Sequence, residues 1–339
     1  MKLLHELSEA AGVPGREEAI RAIVMRELEG YVDQISVDTM GNVIAFKEGS
    51  ARTRERVMFA AHMDEIGFYA SFVDDRGFVR LQEVGGFDTR NLFSRRVIVH
   101  TQKGPMRGVL NAGGKPIHTA SLEERRTAKE VSDFFVDLGL PGKEVAKRVQ
   151  IGDMVTLDAP FVQFGNYVSG KCLDNRVQVY IAIRALQALK KNKNDIYGVF
   201  TVQEEVGLRG AFTSTYGVDP HIGICLDTTI ASDIPGVPGE QRITALGEGV
   251  AIKVLDGSVI CHRGLVEQFV ALAKKSKIKH QMEILPRGGT DAGAIQRTRA
   301  GVKTITLSVP TRYIHTTVET VHVDDVKATQ TLLGKFLEG

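Results

Sequence analysis

From Tyr167 onward, short apolar runs of strand length alternate with amphipathic runs of helix length, and no other feature limits the fold as tightly. The pattern predicts a helix over 173–190, a strand over 196–203, a helix over 207–216 and a strand over 221–227. It continues with a strand over 250–255, a helix over 263–275, strands over 281–285 and 302–308, and a helix over 324–337. Strands that alternate with helices imply a mostly parallel sheet covered on both faces. The start of the chain has the same texture. Leu3, Leu4, Leu7 and Ala11, then Ile20, Ile23, Val24 and Leu28, fall at helical spacing on either side of a break at Pro14-Gly15. Two strands flank the turn signal Met40-Gly41-Asn42. Val57 to Ala61 is a continuous apolar run, as expected of a strand buried on both faces.

Between about Ile66 and Phe164 the texture changes. Short alternating strands are predicted over 68–73, 78–81, 96–100, 106–110 and 154–157, several of them set apart by glycine. This is the pattern of a small β barrel or sandwich. A charged stretch over 122–138 reads as a helix on its rim. The expected fold class is therefore α/β, with a mostly parallel mixed sheet flanked by helices and interrupted by a β domain. The expected segments are 1–66, 67–164 and 165–339.

Composition excludes several classes of function. The chain has 339 residues, 43% hydrophobic and 25% charged, enough to bury a large core. A net charge of +2 gives no electrostatic case for nucleic acid or an anionic membrane as partner. Three cysteines do not make a secreted disulfide framework, so a reducing, cytoplasmic setting is expected. Cys172 and Cys225, each two residues before an aspartate, read as small buried hydrophobes. His5, Glu6 and Glu9 interrupt any signal-peptide core, and no charge-free apolar stretch is long enough to span a membrane.

In sheets of this kind ligands gather beyond the carboxyl ends of the strands. Five apolar runs end in polar residues suited to chemistry. Val57–Ala61 leads to His62-Met63-Asp64-Glu65, where His62 and Asp64 point to the same side of an extended segment. Val168–Leu173 leads to Asp174, Val199–Val202 to Gln203-Glu204-Glu205, Ile222–Leu226 to Asp227, and Ile305–Val309 to His315. A lone histidine after a strand is ordinarily a surface residue, and a lone aspartate there is ordinarily a helix cap. Adjacent glutamates repel each other unless a cation neutralises them. The conjunction of several acids and two histidines, all at strand ends, is what points to metal. Two divalent ions roughly 3.5–4 Å apart need a bridging carboxylate and further protein ligands. His62, Asp174, Glu205, Asp227 and His315 supply such a set for zinc, cobalt or manganese. Glu204 remains as a general base, and Asp64 as an orienting partner for His62. HExxH, GxxxxGK[ST] and GxSxG are all absent.

At these residues the chain resembles the M42 family of metallo-aminopeptidases, which includes the tetrahedral and glutamyl aminopeptidases. The resemblance covers nearly the whole chain and rests on AHMDEIGF at 61–68, GKCLDNR at 170–176, QEEVGLRGA at 203–211, CLDTT at 225–229, GGTDAG at 288–293 and RYIHT at 312–316, in the family's order. It implies that His62, Asp174 and Asp227 hold one metal and that Asp174, Glu205 and His315 hold the other. It also implies that Glu204 is the base and Asp64 the catalytic partner of His62. The β domain would be a PDZ-like insertion serving oligomerisation within a catalytic α/β domain. The partners implied are short peptides with a free N-terminus and further copies of the chain, commonly in a dodecamer. Thr316-Thr317 departs from the Ser-Pro of many members but touches no expected ligand. His118 lies in a loop of the inserted domain that also resembles the family, and it reads equally as a surface histidine.

Other readings stay open at this point. A metal-dependent deacylase or carboxypeptidase would use a related site. A glycosidase using Glu204 and Asp227 would leave both histidines without a role. A binding scaffold without chemistry would be expected to lack a ligand, and none is missing.

Overall fold

The structure, a computed structural model, describes residues 1–339. It divides into a larger unit, Met1–Glu65 with Pro160–Gly339, and a smaller one, Ile66–Ala159.

In the larger unit eleven strands form one mixed sheet. Its centre is parallel, in the order Asp195–Thr201, Arg56–His62, Ile222–Ile230, Lys303–Arg312. The flanks are antiparallel. Gln34–Val37 and Val43–Lys47, the two strands around Gly41, pair with each other and lie beyond Asp195–Thr201. Glu319–His322, Tyr167–Gly170 and Val162–Phe164 follow Lys303–Arg312 on the other side. Val162–Phe164, expected from the sequence to lie in the inserted domain, thus pairs into this sheet. Val250–Leu255 also joins Lys303–Arg312, antiparallel, and carries His280–Ile284 at its other edge.

The central strands are apolar on both faces because helices cover both. Met58 and Phe59 point to opposite sides of the sheet. A Cβ on Gly198, the register partner of Phe59, would stand 2.8 Å from Leu186 of the helix Leu173–Ala188. A Cβ on Gly223, the partner of Met58, would collide with Ile295 of the helix Asp291–Gln296. Only glycine lets the helices sit so close. Helix Arg209–Val218 lies on the Met58 side, where the Thr215 hydroxyl meets Met58 Sδ at 3.7 Å. Helix Leu173–Ala188 packs against Val323–Glu338, Lys2–Glu9 and Glu18–Leu28. Alternation along the strands then carries His62 and Asp227 to the Met58 face.

The smaller unit is a closed six-stranded antiparallel barrel, in the order Gly67–Val73, Val79–Val84, Phe134–Asp137, Gly104–Ala112, Arg95–Thr101, Met154–Leu157. Phe68, Val79, Val97, Val99, Leu110, Phe134, Val136 and Val155 fill it. The helix expected over 122–138 is corrected here. The helix covers only Leu122–Arg126, opened by a capping box between Ser121 and Glu124. Phe134-Phe135-Val136-Asp137 is a strand, with Phe134 and Val136 inward. Its alternation of buried and outward residues wins over the charged residues before it, because two inward apolar side chains close the barrel wall.

No helix is long and apolar enough to cross a membrane.

Candidate metal centre

The expected ligands lie at or near the carboxyl ends of strands, most of them where the chain turns. His62 closes Arg56–His62, and Asp227 lies within Ile222–Ile230. Asp174 follows Cys172, which has φ 58°. It has φ −78° and ψ 103° and is joined to Asn175 by a cis peptide bond. Its carboxylate faces His62 and His315, so Asp174 does not serve as the helix cap that a strand-end aspartate ordinarily is. The Asn175 side chain donates to Leu226 O at 2.9 Å, which ties this turn to the strand carrying Asp227. Glu204 and Glu205 follow Gln203, at φ 56°, and His315 itself has φ 62°. Non-glycine residues in the left-handed region cost of order 1 kcal/mol or more and persist where surrounding contacts hold them.

The turns bring the six residues together. Asp174 lies between the two imidazoles: Oδ1 is 3.3 Å from His62 Nε2 and Oδ2 is 3.5 Å from His315 Nε2. His62 Nε2 is also 3.8 Å from Asp227 Oδ1 and 3.9 Å from Glu204 Oε2. His315 Nε2 is 3.3 Å from Glu205 Oε2. Asp64 is fully buried and accepts the backbone N–H of Glu204 at 3.0 Å and of Glu205 at 3.1 Å. Its Oδ1 stands 3.5 Å from His62 Nδ1. It therefore braces both the ring and the glutamate turn.

The electrostatics are those of a crowded anionic site. Burial, with Asp227, Glu205 and Asp291 nearby, pushes the Glu204 carboxyl well above the usual range, the His62 charge opposing. Burial and Asp174 likewise raise Asp227, and burial raises Glu205. Burial disfavours a charged His315 ring, but Glu205 and Asp174 outweigh it and push it to about 12. For Asp174, burial is outweighed by the pull of the His315 and His62 imidazoles, and the carboxyl falls below its ordinary value.

The donors fit divalent metal. Asp174 Oδ1 is buried and accepts no hydrogen bond despite its position against His62. Two triads, His62-Glu204-Asp227 and His62-Asp174-Glu205, each hold ligand atoms within 4.8 Å of one another. Imidazole nitrogen with carboxylate oxygen suits zinc, cobalt or manganese. Glu204, assigned as a base from the sequence, falls within reach of the first triad.

Three acids carry no role in the sequence pattern and gain one in the fold. Glu319 accepts the backbone N–H of His315 at 2.7 Å and of Asp174 at 2.8 Å, so one carboxylate sets both turns. Burial beside Asp174 pushes it up to about 8. In Val318-Glu319-Thr320-Val321 it looks like the polar half of a strand alternation, and nothing local marks it. Asp291 accepts the Thr201 hydroxyl at 2.5 Å. It belongs to the glycine-rich segment 288–293, whose composition stands out without pointing to a task. Glu17 accepts the backbone N–H of Gln203 at 3.1 Å and has no sequence signal at all. His118 is exposed, in the smaller unit.

A buried set of imidazoles and carboxylates at the carboxyl ends of parallel strands defines a metal-dependent hydrolase site. The family described as M42 glutamyl aminopeptidase matches residues 41–332, and this chain belongs to the M42 family, whose members are metallopeptidases. It is 35% identical to the lysyl aminopeptidase of Pyrococcus furiosus, with 99% of this chain and 96% of that one covered. Among solved structures it resembles the TET aminopeptidase of the marine sediment archaeon Thaumarchaeota archaeon SCGC AB-539-E09, at TM-score 0.96 and 33% identity over 100% of this chain and 95% of that one. It also resembles the Pyrococcus horikoshii TET1 peptidase, described as able to assemble into a tetrahedron or a large octahedral shell, at TM-score 0.88 and 33% identity over 99% and 98% of the two chains.

Proposed function

We propose that this chain is a dinuclear metal-dependent aminopeptidase that removes N-terminal residues from short peptides. The position of Asp174 carries the reading, with one carboxylate oxygen facing His62 and the other facing His315. Asp174 would thus be shared between two ions, with His62 and Asp227 holding one and Glu205 and His315 the other. When bound, such ions polarise the peptide carbonyl and make water a nucleophile near neutral pH. Glu204, buried with Oε2 3.9 Å from His62 Nε2, takes the water's proton and returns it to the leaving amine. Asp64 keeps Glu204 and Glu205 on their marks through two backbone hydrogen bonds. Zinc or cobalt suits the donors best, with manganese a third candidate.

The chain works in the cytoplasm as a homo-oligomer, a dodecamer, with the inserted barrel serving assembly and Met1–Glu65 with Pro160–Gly339 forming the catalytic domain. Its three cysteines are free and buried, as a reducing compartment favours. The shells described for the TET1 relative support the assembly.

The test is hydrolysis of matched peptides with free and with acetylated N-termini, before and after stripping with a chelator. Chelation should abolish cleavage, one of the three metals should restore it, and the acetylated peptide should be refused. Cleavage of both peptides alike would favour the deacylase or carboxypeptidase reading. Turnover that survives chelation would remove the metal from the reaction.

A further inference from the structure

On the same face of the sheet the larger unit buries a second set of charges that the reaction above does not use. The side chains of Lys253, Asp256 and Glu283 are fully enclosed. Lys253 Nζ lies 2.7 Å from Glu283 Oε1 and 3.2 Å from Asp256 Oδ2. Register places this cluster beside the candidate metal centre. Asp227 pairs with Ser308, Ser308 pairs with Ala251, and Lys253 is the next residue of that strand on the same face.

Two hydrogen-bonded arms leave the cluster. In one, the Thr229 hydroxyl donates to Glu283 Oε1 at 2.6 Å. Thr229 comes after Asp227 on the same strand and the same face. In the other, the Thr290 hydroxyl donates to Asp256 Oδ2 at 3.0 Å. The next residue, Asp291, accepts the Thr201 hydroxyl at 2.5 Å. Thr201 is the register partner of His62 and ends the strand that leads to Glu204 and Glu205. The glycine-rich segment 288–293 is the link in this second arm.

Stability alone does not account for the cluster. Well-packed apolar side chains generally hold such a space as firmly as a buried ion pair does. What apolar side chains lack is the ability to fix hydroxyls at chosen points, and here the Thr229 hydroxyl is fixed on the strand carrying Asp227 and the Thr290 hydroxyl beside Asp291, which in turn holds Thr201. Outer partners of this kind orient metal ligands.

We propose that Lys253 is a positioning residue for the metal centre, anchoring Glu283 and Asp256 so that the Thr229 and Asp291–Thr201 arms hold the strand ends bearing Asp227, His62 and Glu204–Glu205 in ligating geometry. The proposal rests on the metal reading above. It is tested on the full chain by calorimetric titration of the chelator-stripped protein with Zn²⁺, alongside thermal melting of the stripped forms. Thr229→Val should weaken Zn²⁺ binding about 10–100-fold, and Lys253→Met should weaken it at least as much. Thr229→Ser, which keeps the hydroxyl, should bind as the wild type does. Melting changes in the stripped protein with unchanged Zn²⁺ affinity would mean a purely structural cluster and would overturn the proposal. Should Lys253→Met not fold, the Thr229 pair decides. A wild type that binds no Zn²⁺, Co²⁺ or Mn²⁺ sinks the metal reading and this inference together; a wild type that binds while Thr229→Val matches it sinks this inference alone.

Discussion

At the scale of the residue, what distinguishes this site is how many carboxyls it buries close together. Glu204 is enclosed among Asp227, Glu205 and Asp291, so its carboxyl is raised. Its Oε2 stands 3.9 Å from His62 Nε2, at the candidate metal centre, where a carboxyl can pass a proton. Glu204→Gln keeps the volume and removes the base. It should cut kcat about 10²–10⁴-fold while Zn²⁺ still binds, as read by turnover and by titration of the stripped protein. An active Glu204→Gln variant would return the base role to another group. The acids that bind backbone have a different task. Asp64 and Glu319 each take two backbone N–H groups, and both sit behind the turns that present the candidate ligands. Asp64 was legible because it shares a strand end with His62. Glu319 was not, because one of the two turns it braces, at Asp174, lies in another segment and only the folded chain brings the two together.

At the scale of the element, the turn carrying Glu204 and Glu205 is held from outside by Asn42. Its side chain accepts from Val202 N at 3.0 Å and donates to Gly210 O at 3.1 Å. Gly210 is the second residue of the helix Arg209–Val218, and a Cβ there would stand 2.5 Å from Val202 O and would collide with Asn42 Oδ1. Gly210→Ala should therefore destabilise the fold by about 2–4 kcal/mol in denaturant titrations, through backbone that must move. The helix Val323–Glu338 is tied down differently. Asp325 in its first turn accepts Gly247 N and Gly249 N, both at 2.7 Å. Burial raises its carboxyl from 3.8 to about 6, the two backbone bonds opposing. Between 3.8 and about 6 the folded protein thus keeps a proton that the unfolded chain has released. This contribution to stability is full below 3.8 and is lost as pH rises through about 6. Asp325→Asn should flatten the stability profile across that window, as measured by unfolding at a series of pH values. The strand Phe134–Asp137 shows the limit of reading elements alone. Its four residues come after a charged stretch that looks helical, and only the barrel gives Phe134 and Val136 a place to be buried.

At the scale of the whole molecule, assembly is the property with the clearest single measurement. A dodecamer of a 37.1 kDa chain has a mass of about 445 kDa, twelve times the chain. Sedimentation or light scattering should find that mass, and a monomeric peak would remove the assembly from the proposal. The sequence by itself determined the parallel centre of the sheet, the interruption by a β unit, and the His62, Asp174, Glu204–Glu205, Asp227 and His315 set, because each depends on apolar period and on the polar residues that close an apolar run. The tertiary structure alone decided which face His62 and Asp227 share, that Glu319 and Asp291 stand behind them, and that Lys253 is buried among acids. Those facts depend on strand register and on contacts between segments far apart in the chain, and local hydrophobic pattern carries no record of either.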